Sequence, residues 1–258
     1  MIDIIFPILP WYDENPVWTG HDFKKGSNHL SVLCYSETLA GWNCDLTDFH
    51  EINASEENHY IVKAPRLYAC NEIKKYLPEK GFILEIGYSS GYLIQDLINI
   101  LPNVSIIGSD CFSERLNNIS ENFKIPLLQF DPVHCPLSDS CVDVVVALIV
   151  LEHIEDGGSA LYQICCTLKS GGYAVIEVPA NQDLYDFYDR ELGHFRGYNT
   201  SELSDKLERN GFEIDSHSHP GFFIYPTFRA IKFKNKGLSS PDNRKLIESQ
   251  VKTHFIAN

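Results

Sequence analysis

The stretch FILEIGYSSG, residues 82–91, decides the fold that we predict for this chain of 258 residues. Its first five residues form a short apolar run that ends at Gly87, as a buried strand of a parallel sheet does. Gly91 then opens a helical pattern with its apolar residues on one side, over 91–100. A strand, a glycine turn and a helix in succession are the opening unit of an α/β fold.

The alternation of strands and helices continues on both sides of this stretch. A helix is predicted over 64–77, with Pro65 in its first turn. Further strands are predicted at 104–108, 127–130, 142–150 and 173–178, with helices at 113–122, 159–168 and 200–210. A last strand pair at 212–216 and 222–233 is joined by a turn too short for a crossover, which favours antiparallel pairing. The pattern predicts a mostly parallel sheet with helices on both faces.

The chain divides into three parts by its sequence pattern. Residues 1–63 carry all three tryptophans and no sustained pattern, so we predict an irregular extension. It forms either a lid over the active site or an extension packed on the sheet edge or in a dimer. Residues 64–233 form the α/β domain, and residues 234–258 form a polar tail.

Composition excludes several classes of function. The chain has 35 acidic and 21 basic residues, a formal charge of −14, which disfavours a partner held through phosphate contacts. No apolar run approaches the roughly 20 residues that cross a bilayer. The apolar first 12 residues lack a basic flank and carry Asp3, so they make a poor signal peptide. We expect a soluble, cytoplasmic protein that binds neither nucleic acid nor membrane.

Cysteine spacing gives no sign of a disulfide framework or a metal site. The eight cysteines include no CxxC pair, and adjacent Cys165 and Cys166 point in different directions on a helix. We interpret them as free thiols that pack as small hydrophobic residues, and we predict no metal.

Polar residues follow several predicted strands. The ligand of a parallel sheet binds at the carboxyl ends of its strands, where these residues lie. Glu85, Gly87 and Gly91 surround the first strand's turn, and Asp110 follows the second strand, where it can accept from ribose hydroxyls. Asp131 follows the third. The third glycine of a dinucleotide-binding turn is missing, because Tyr92 stands in its place. One nucleoside with an attached amino acid fits better.

These motifs together resemble those of class I S-adenosylmethionine-dependent methyltransferases, especially the small-molecule branch known as type 11. The resemblance covers about residues 64–232. It is carried by ILEIGYSSG (83–91), IIGSD (106–110), LLQFDPVHCPLSDSCVDVVVALIVLEHIED (127–156), LKSGGYAVIEVP (168–179) and GHFRGYNTSELSDKLERNGFEI (193–214). It implies a Rossmann-like sheet of seven strands, mostly parallel, with helices on both faces and the last strand antiparallel.

The resemblance also implies a site for S-adenosyl-L-methionine, with S-adenosyl-L-homocysteine as product. The residues that it places around the cofactor are Glu85, Gly87, Ser89 and Gly91 at the methionine half, Asp110 at the ribose, Cys111 and Phe112 beside the adenine, Asp131 at the adenine amine, and Leu148 and Ile149 at the sulfonium. Ser89 stands where the family usually has a glycine. The carboxylates have structural alternatives: Glu85 as a helix cap, Asp110 as a turn former and Asp131 as an Asp-Pro turn residue.

The acceptor side is less defined in the sequence. A histidine can take the proton of an acceptor hydroxyl at neutral pH, and His153 and His194 are the candidates for catalysis, each with a structural alternative. Tyr185, Tyr188 and Arg196 are candidates for the acceptor pocket, although the tyrosines could instead pack their loop onto the sheet. His21 is a candidate on the N-terminal extension.

We therefore expect methyl transfer to a small molecule, most simply O-methylation of a natural-product or sugar-like compound in small-molecule biosynthesis. An N-methyltransferase acting on a small amine or peptide is the first alternative. A non-catalytic scaffold that binds the cofactor is the second. The protein is expected to be a monomer or a homodimer.

Overall fold

The computed structural model describes residues 4–11, 13–37, 60–87, 91–119, 123–219 and 229–230. Its strands are β1 (Val17–Trp18), β2 (Phe23–Lys25), β3 (Asn28–Leu30), β4 (Leu33–Cys34), β5 (Phe82–Ile86), β6 (Ser105–Asp110), β7 (Leu127–Gln129), β8 (Val142–Leu148) and β9 (Leu168–Glu177). Its helices are α1 (Tyr60–Tyr76), α2 (Tyr92–Ile100), α3 (Ser113–Ile119), α4 (Gly157–Thr167), α5 (Phe187–Glu191) and α6 (Thr200–Arg209).

In the described part of the chain, six parallel strands form the main sheet, in the order β4-β7-β6-β5-β8-β9. The strand order reverses at β5, which pairs with β6 on one side and with β8 on the other. Such a reversal opens a crevice at the carboxyl ends of the strands. The prediction of an α/β fold with a mostly parallel sheet is confirmed.

The central strands are mostly apolar because both faces of the sheet are covered. Leu84 packs into a core on the side of α4, together with Ala160 and Ile164. Its neighbour Ile83 packs into a second core with α1 and α2, which contains Leu97. Adjacent residues of a strand point to opposite faces, so an unbroken apolar run is what a doubly covered strand requires.

The N-terminal extension is more regular than predicted. Strands β1, β2 and β3 form a separate antiparallel sheet, and β4 adds to the edge of the main sheet beside β7. Phe6 and Phe23 are buried in an edge-to-face contact, with ring centroids 5.0 Å apart. Residues 4–11 and 13–37 thus pack on the sheet, while residues 38–59 lie outside the described part. Strands of two or three residues are too short to show an alternating pattern.

The first helix begins earlier than the sequence predicts. Helix α1 starts at Tyr60 and contains Pro65, which we expected in the first turn. An internal proline removes one helical hydrogen bond and normally ends or bends a helix. The later turns of α1 offset that loss by burying Ala69, Cys70 and Ile73 in the core.

Residues 169–172 belong to a strand, although the predicted helix ends at 168 and the next predicted strand begins at 173. Helix α4 ends at Thr167, and β9 begins at the next residue. The pairing of β9 with β8 shifts register between Val142 and Val144. Gly171, with a φ of +76°, lies in this irregular stretch, and glycine is common at such bulges.

The end of the domain differs from the predicted strand pair. Gly211 has a left-handed backbone after α6, and residues 212–219 are irregular and form no strand. The predicted strand over 222–233 lies outside the described residues except for positions 229–230, which are helical. None of the helices in the described part is long and apolar enough to cross a membrane.

Candidate active site at the carboxyl edge of the sheet

The turn after β5 requires glycine at its first position. Gly87 has a φ of +84°, and its N–H donates to the Ser109 carbonyl at 2.9 Å. A Cβ atom at this position would lie 2.4 Å from Cγ2 of Val150. Gly91, with a φ of +74°, caps the start of α2. Residues 88–90, which include the predicted cofactor residue Ser89, lie outside the described residues.

Glu85 carries a buried carboxyl group at the end of β5. The residue is only 5% exposed, and its Oε2 has no hydrogen-bond partner among the described residues. Burial, together with the negative charge of Asp110, raises the pKa of this carboxyl well above its usual value. A buried acceptor without a partner is costly, so this atom is suited to a cationic or donor group of a ligand.

Asp110, Cys111 and Phe112 form the turn after β6. The backbone N–H of Phe112 donates to Oδ1 of Asp110 at 2.9 Å, so the turn-forming alternative is present in the structure. Phe112 is buried, and the guanidinium carbon of Arg115 lies 5.5 Å from the centre of its ring. The turn therefore presents an acidic group beside an aromatic one, as a nucleoside site needs.

Asp131, after β7, also serves a turn. Its Oδ1 accepts from the N–H of Val133 at 3.1 Å, and it caps the 3-10 turn Pro132–His134. The Asp-Pro turn alternative is thus present in the structure. A contact of Asp131 with the adenine amine stays a prediction.

Gln129 is a residue of this region that the sequence reasoning missed. It is buried at the end of β7, and its Nε2 donates to the carbonyl of Cys111 and to Oγ of Ser36, both at 3.1 Å. It thereby joins the predicted adenine loop to the N-terminal extension. A lone glutamine in a short apolar strand gives no signal of such a role.

The end of β8 carries backbone strain. Ile149 has a φ of +56°, and its N–H donates to the carbonyl of Glu177 at 2.9 Å. A β-branched residue in this left-handed region is a genuine outlier, and the conformation costs on the order of 1–3 kcal/mol. Its side chain is 43% exposed, at the place where the resemblance expects the sulfonium end of the cofactor.

A fully buried acid follows this strained residue. Glu152, in the 3-10 turn Leu151–His153, is 0% exposed, and neither of its carboxylate oxygens has a hydrogen-bond partner among the described residues. Burial, with the nearby charges of Glu177 and Asp189, raises the pKa of Glu152 to about 8. Burial also raises the pKa of Glu177 to about 7.

His153 and His194 meet beside this acid, although 40 residues separate them in the chain. Their rings are edge to face, with centroids 4.5 Å apart. Burial, with His194 and Arg115 nearby, lowers the pKa of His153 to about 3, so its ring is neutral and weakly basic. Nδ1 of His194 lies 3.3 Å from Oδ1 of Asp189, within ion-pair distance, but makes no hydrogen bond among the described residues. The structure therefore brings the two predicted catalytic histidines together.

The other predicted acceptor residues have structural contacts. The Tyr185 hydroxyl donates to the carbonyl of His194 at 2.6 Å, and Nη2 of Arg196 donates to the carbonyl of Glu155 at 2.5 Å. Both bonds hold the loop after β9 in place. The side chain of Tyr188, on α5, lies outside the described part. His21 lies in an exposed cluster on the N-terminal sheet, with Nδ1 3.2 Å from the Thr19 hydroxyl.

Comparison with known proteins agrees with this geometry. A family model described as a methyltransferase domain matches residues 60–217, more than half of the chain. A protein of Mycolicibacterium smegmatis, described as a probable S-adenosylmethionine-dependent methyltransferase, is 28% identical over 136 residues, which cover 52% of each chain. Sterol 4-C-methyltransferase of Caenorhabditis elegans is 25% identical over 190 residues, which cover 69% of this chain and 54% of that protein.

The chain thus spans about half the length of the curated relatives it matches. Among solved structures, phosphoethanolamine N-methyltransferase 2 of Haemonchus contortus, in complex with S-adenosyl-L-methionine, aligns with a TM-score of 0.53 at 16% identity. The alignment covers 81% of this chain and 55% of that one, and it supports the fold alone. The family match, the reversal of strand order at β5 and the glycine turn lead to one conclusion: the chain belongs to the class I S-adenosylmethionine-dependent methyltransferases.

Proposed function

We propose that this protein transfers a methyl group from S-adenosyl-L-methionine to a small-molecule acceptor. The observation that carries the proposal is the buried Glu85 carboxyl, whose Oε2 lacks a hydrogen-bond partner among the described residues, beside the Gly87 turn at the switch point of the sheet. Ligands of parallel sheets bind at this point.

The residues at the strand ends fit the cofactor. Glu85 would pair with its cationic amino group, and Asp110 would accept from the ribose hydroxyls, because both carboxyls are buried at the ends of neighbouring strands. Phe112 gives an apolar surface for the adenine. When bound, the cofactor supplies a methyl group on a positively charged sulfur, which is already activated for displacement.

The protein's main task in such a reaction is to position the acceptor and exclude water. The cluster of Glu152, His153 and His194 lies beyond the ends of β8 and β9, next to strained Ile149, and forms a buried polar surface there. A hydroxyl acceptor has to lose its proton, and this cluster holds the groups that can assist. We therefore propose O-methylation of a natural-product or sugar-like compound.

N-methylation of a small amine is the second candidate. It is favoured by the carboxyl groups of Glu177 and Asp189, which each lie near enough to the Glu152 carboxyl to raise its pKa. A group of acids attracts a cationic acceptor. The net charge of −14 further supports a neutral or basic small molecule over a nucleic acid as the partner.

Calorimetric titration with S-adenosyl-L-methionine tests the cofactor part of the proposal. We expect saturable binding that Asp110→Ala weakens at least about 100-fold, because a buried charged hydrogen-bond partner of the ligand is lost. Asp22→Ala, on the N-terminal sheet, is the matched control and should bind normally. Absence of binding in the unmodified chain would reject the proposal.

A mass-shift screen tests the transfer itself. Hydroxyl and amine acceptors are incubated with protein and cofactor, and products are sought that gain one CH2 unit. Turnover of hydroxyl compounds supports the first candidate, and turnover of amines alone supports the second. Tight cofactor binding with no turnover across both classes would favour the non-catalytic scaffold.

A further inference from the structure

We propose that Glu152, His153 and His194 form a binding site for one divalent transition-metal ion of the zinc class. One ligand atom from each residue lies within 4.8 Å of the other two. Glu152 and His153 come from the turn after β8, and His194 comes from the loop after β9. The sequence predicted no metal, because it separates the two contributing segments.

The buried acid is the strongest support. Glu152 is 0% exposed, and neither of its carboxylate oxygens has a hydrogen-bond partner within the described ranges. Proteins rarely bury a carboxyl group in this way without a compensating partner, because the loss of water costs several kcal/mol. A bound cation would supply that partner and would also neutralise the neighbouring acids Glu177 and Asp189.

The two imidazoles complete a donor set. Their rings lie edge to face, with centroids 4.5 Å apart. Nδ1 of His194 also lies 3.3 Å from Oδ1 of Asp189, within ion-pair distance. Histidine ligands of metals commonly hold their second nitrogen on a carboxylate or a backbone carbonyl.

The donor types select the metal. Two imidazole nitrogens and one carboxylate favour zinc, iron or cobalt over magnesium, which prefers oxygen ligands. Ligand atoms about 2.0–2.2 Å from a tetrahedral zinc lie about 3.3–3.6 Å apart. The three atoms, which lie within 4.8 Å of one another, therefore need to approach by at most about 1.5 Å, a shift that side-chain rotations can give. Three protein ligands also leave a coordination position open, as in catalytic sites.

The site lies close to the proposed cofactor turn. Val150, two residues before Glu152, is the residue whose Cγ2 fills the space beside Gly87. The next step rests on the proposed function. The acceptor hydroxyl would take the open coordination position, and the metal would make it easier for that hydroxyl to lose its proton to water. Its oxygen would then form a bond to the methyl carbon as the carbon–sulfur bond breaks, which leaves the neutral thioether.

Metal binding is measured on the full chain after removal of metals with a chelator. Zn2+ is titrated calorimetrically, and Co2+ is followed by its visible absorption, which reports on ligand geometry. We expect one equivalent of Zn2+ and at least about 100-fold weaker binding in Glu152→Gln and in His194→Gln. His29→Gln, in the exposed contact of His29 with Asp22 at 2.6 Å, is the matched control and should bind Zn2+ normally.

Three results would overturn the inference: no stoichiometric Zn2+ binding, unchanged binding in both ligand variants, or a site that takes Mg2+ in preference to Zn2+. Titration of the same samples with S-adenosyl-L-methionine separates this failure from failure of the proposed function. Cofactor binding without metal binding rejects the metal site alone. Metal binding without cofactor binding rejects the proposed function alone. If Glu152→Gln fails to fold, the test uses His194→Gln alone. The Co2+ absorption spectrum of that variant then shows whether His194 is a metal ligand.

Discussion

The turns after β5 and β8 meet at Gly87 and Val150, with no space for a side chain between them. A Cβ atom on Gly87 would lie 2.4 Å from Cγ2 of Val150, and the φ of Gly87 is +84°. One residue therefore meets two requirements, a left-handed backbone and a close approach to a neighbouring turn. This contact joins the proposed cofactor loop to the segment that carries Glu152 and His153.

Gly87→Ala is expected to lower both stability and cofactor affinity. The left-handed backbone costs about 1–2 kcal/mol for a residue with a Cβ, and the contact with Val150 adds about 1–3 kcal/mol. Denaturant unfolding measures the first effect, and titration with S-adenosyl-L-methionine measures the second. Gly193→Ala is the matched control, because φ is +75° there and a Cβ would meet nothing within 4 Å. Equal losses of stability and of cofactor affinity in the two variants would show that the contact with Val150 contributes to neither.

The sequence identifies Gly87 as the turn residue but not its contact with Val150. The apolar run before Gly87 and the glycine itself are local signals, and local signals suffice to predict β5, α2 and the sheet type. Val150 is 63 positions away, and its side chain reaches Gly87 only because β8 pairs directly with β5. Periodicity carries no information on such a pairing.

Glu85→Gln is expected to stabilise the cofactor-free protein at neutral pH. Burial and Asp110 raise the pKa of Glu85, so the folded state retains a proton that the unfolded state loses above the ordinary pKa of 4.5. Stability of the unmodified chain therefore falls as pH rises above about 4.5, and a neutral glutamine avoids this loss. We expect the variant to melt a few degrees higher at pH 7 and at nearly the same temperature at pH 4.

Thermal denaturation across this pH range checks the expectation, with exposed Glu114→Gln as the control. A melting difference for Glu85→Gln that does not change with pH would contradict a role for ionisation.

Cofactor affinity should show the opposite dependence on pH. The carboxyl of Glu85 has to be ionised to pair with a cationic amino group, so binding releases a proton while Glu85 is protonated in the free protein. Affinity of the unmodified chain for S-adenosyl-L-methionine is then expected to increase with pH through the raised pKa of Glu85. Glu85→Gln should bind at least about tenfold more weakly, with less dependence on pH. Calorimetry in two buffers that differ in ionisation enthalpy measures the released proton, and equal proton release in both proteins would contradict the assignment.

The N-terminal extension should contribute strongly to stability. Phe23 is 0% exposed between Phe6 and Trp18, with ring centroids at 5.0 and 4.9 Å, and it belongs to the core on the α4 side of the sheet. Phe23→Ala is expected to cost about 3–5 kcal/mol in denaturant unfolding. Trp11→Ala, at a residue that is 83% exposed, should change stability by less than about 0.5 kcal/mol. A small effect for Phe23→Ala would mean that the extension folds apart from the domain.

The cluster of Glu152, His153 and His194 shows how much of the site the sequence predicts. His153 and His194 follow predicted strands, which makes them candidates from the sequence alone. Glu152 gives no such signal, because an acid before a histidine in a turn has the sequence signature of an exposed residue. Its complete burial depends on the loop after β9, where the N–H of Phe195 donates to the Glu152 carbonyl at 2.7 Å. A contact across 43 residues has no local pattern from which it could be predicted.

Buried Gln129 forms hydrogen bonds to two separate segments, the turn after β6 and the N-terminal extension. Its Nε2 donates to the Cys111 carbonyl and to Oγ of Ser36, so Gln129→Leu keeps the volume but leaves both acceptors without this donor. We expect a loss of about 1–3 kcal/mol in stability and about tenfold weaker binding of S-adenosyl-L-methionine, since the turn after β6 is the proposed nucleoside site. Ser36→Ala removes only the bond to the extension and should leave cofactor affinity within about twofold. If Gln129→Leu lowers stability and leaves cofactor affinity unchanged, the residue holds the extension to the sheet and does not position the cofactor loop.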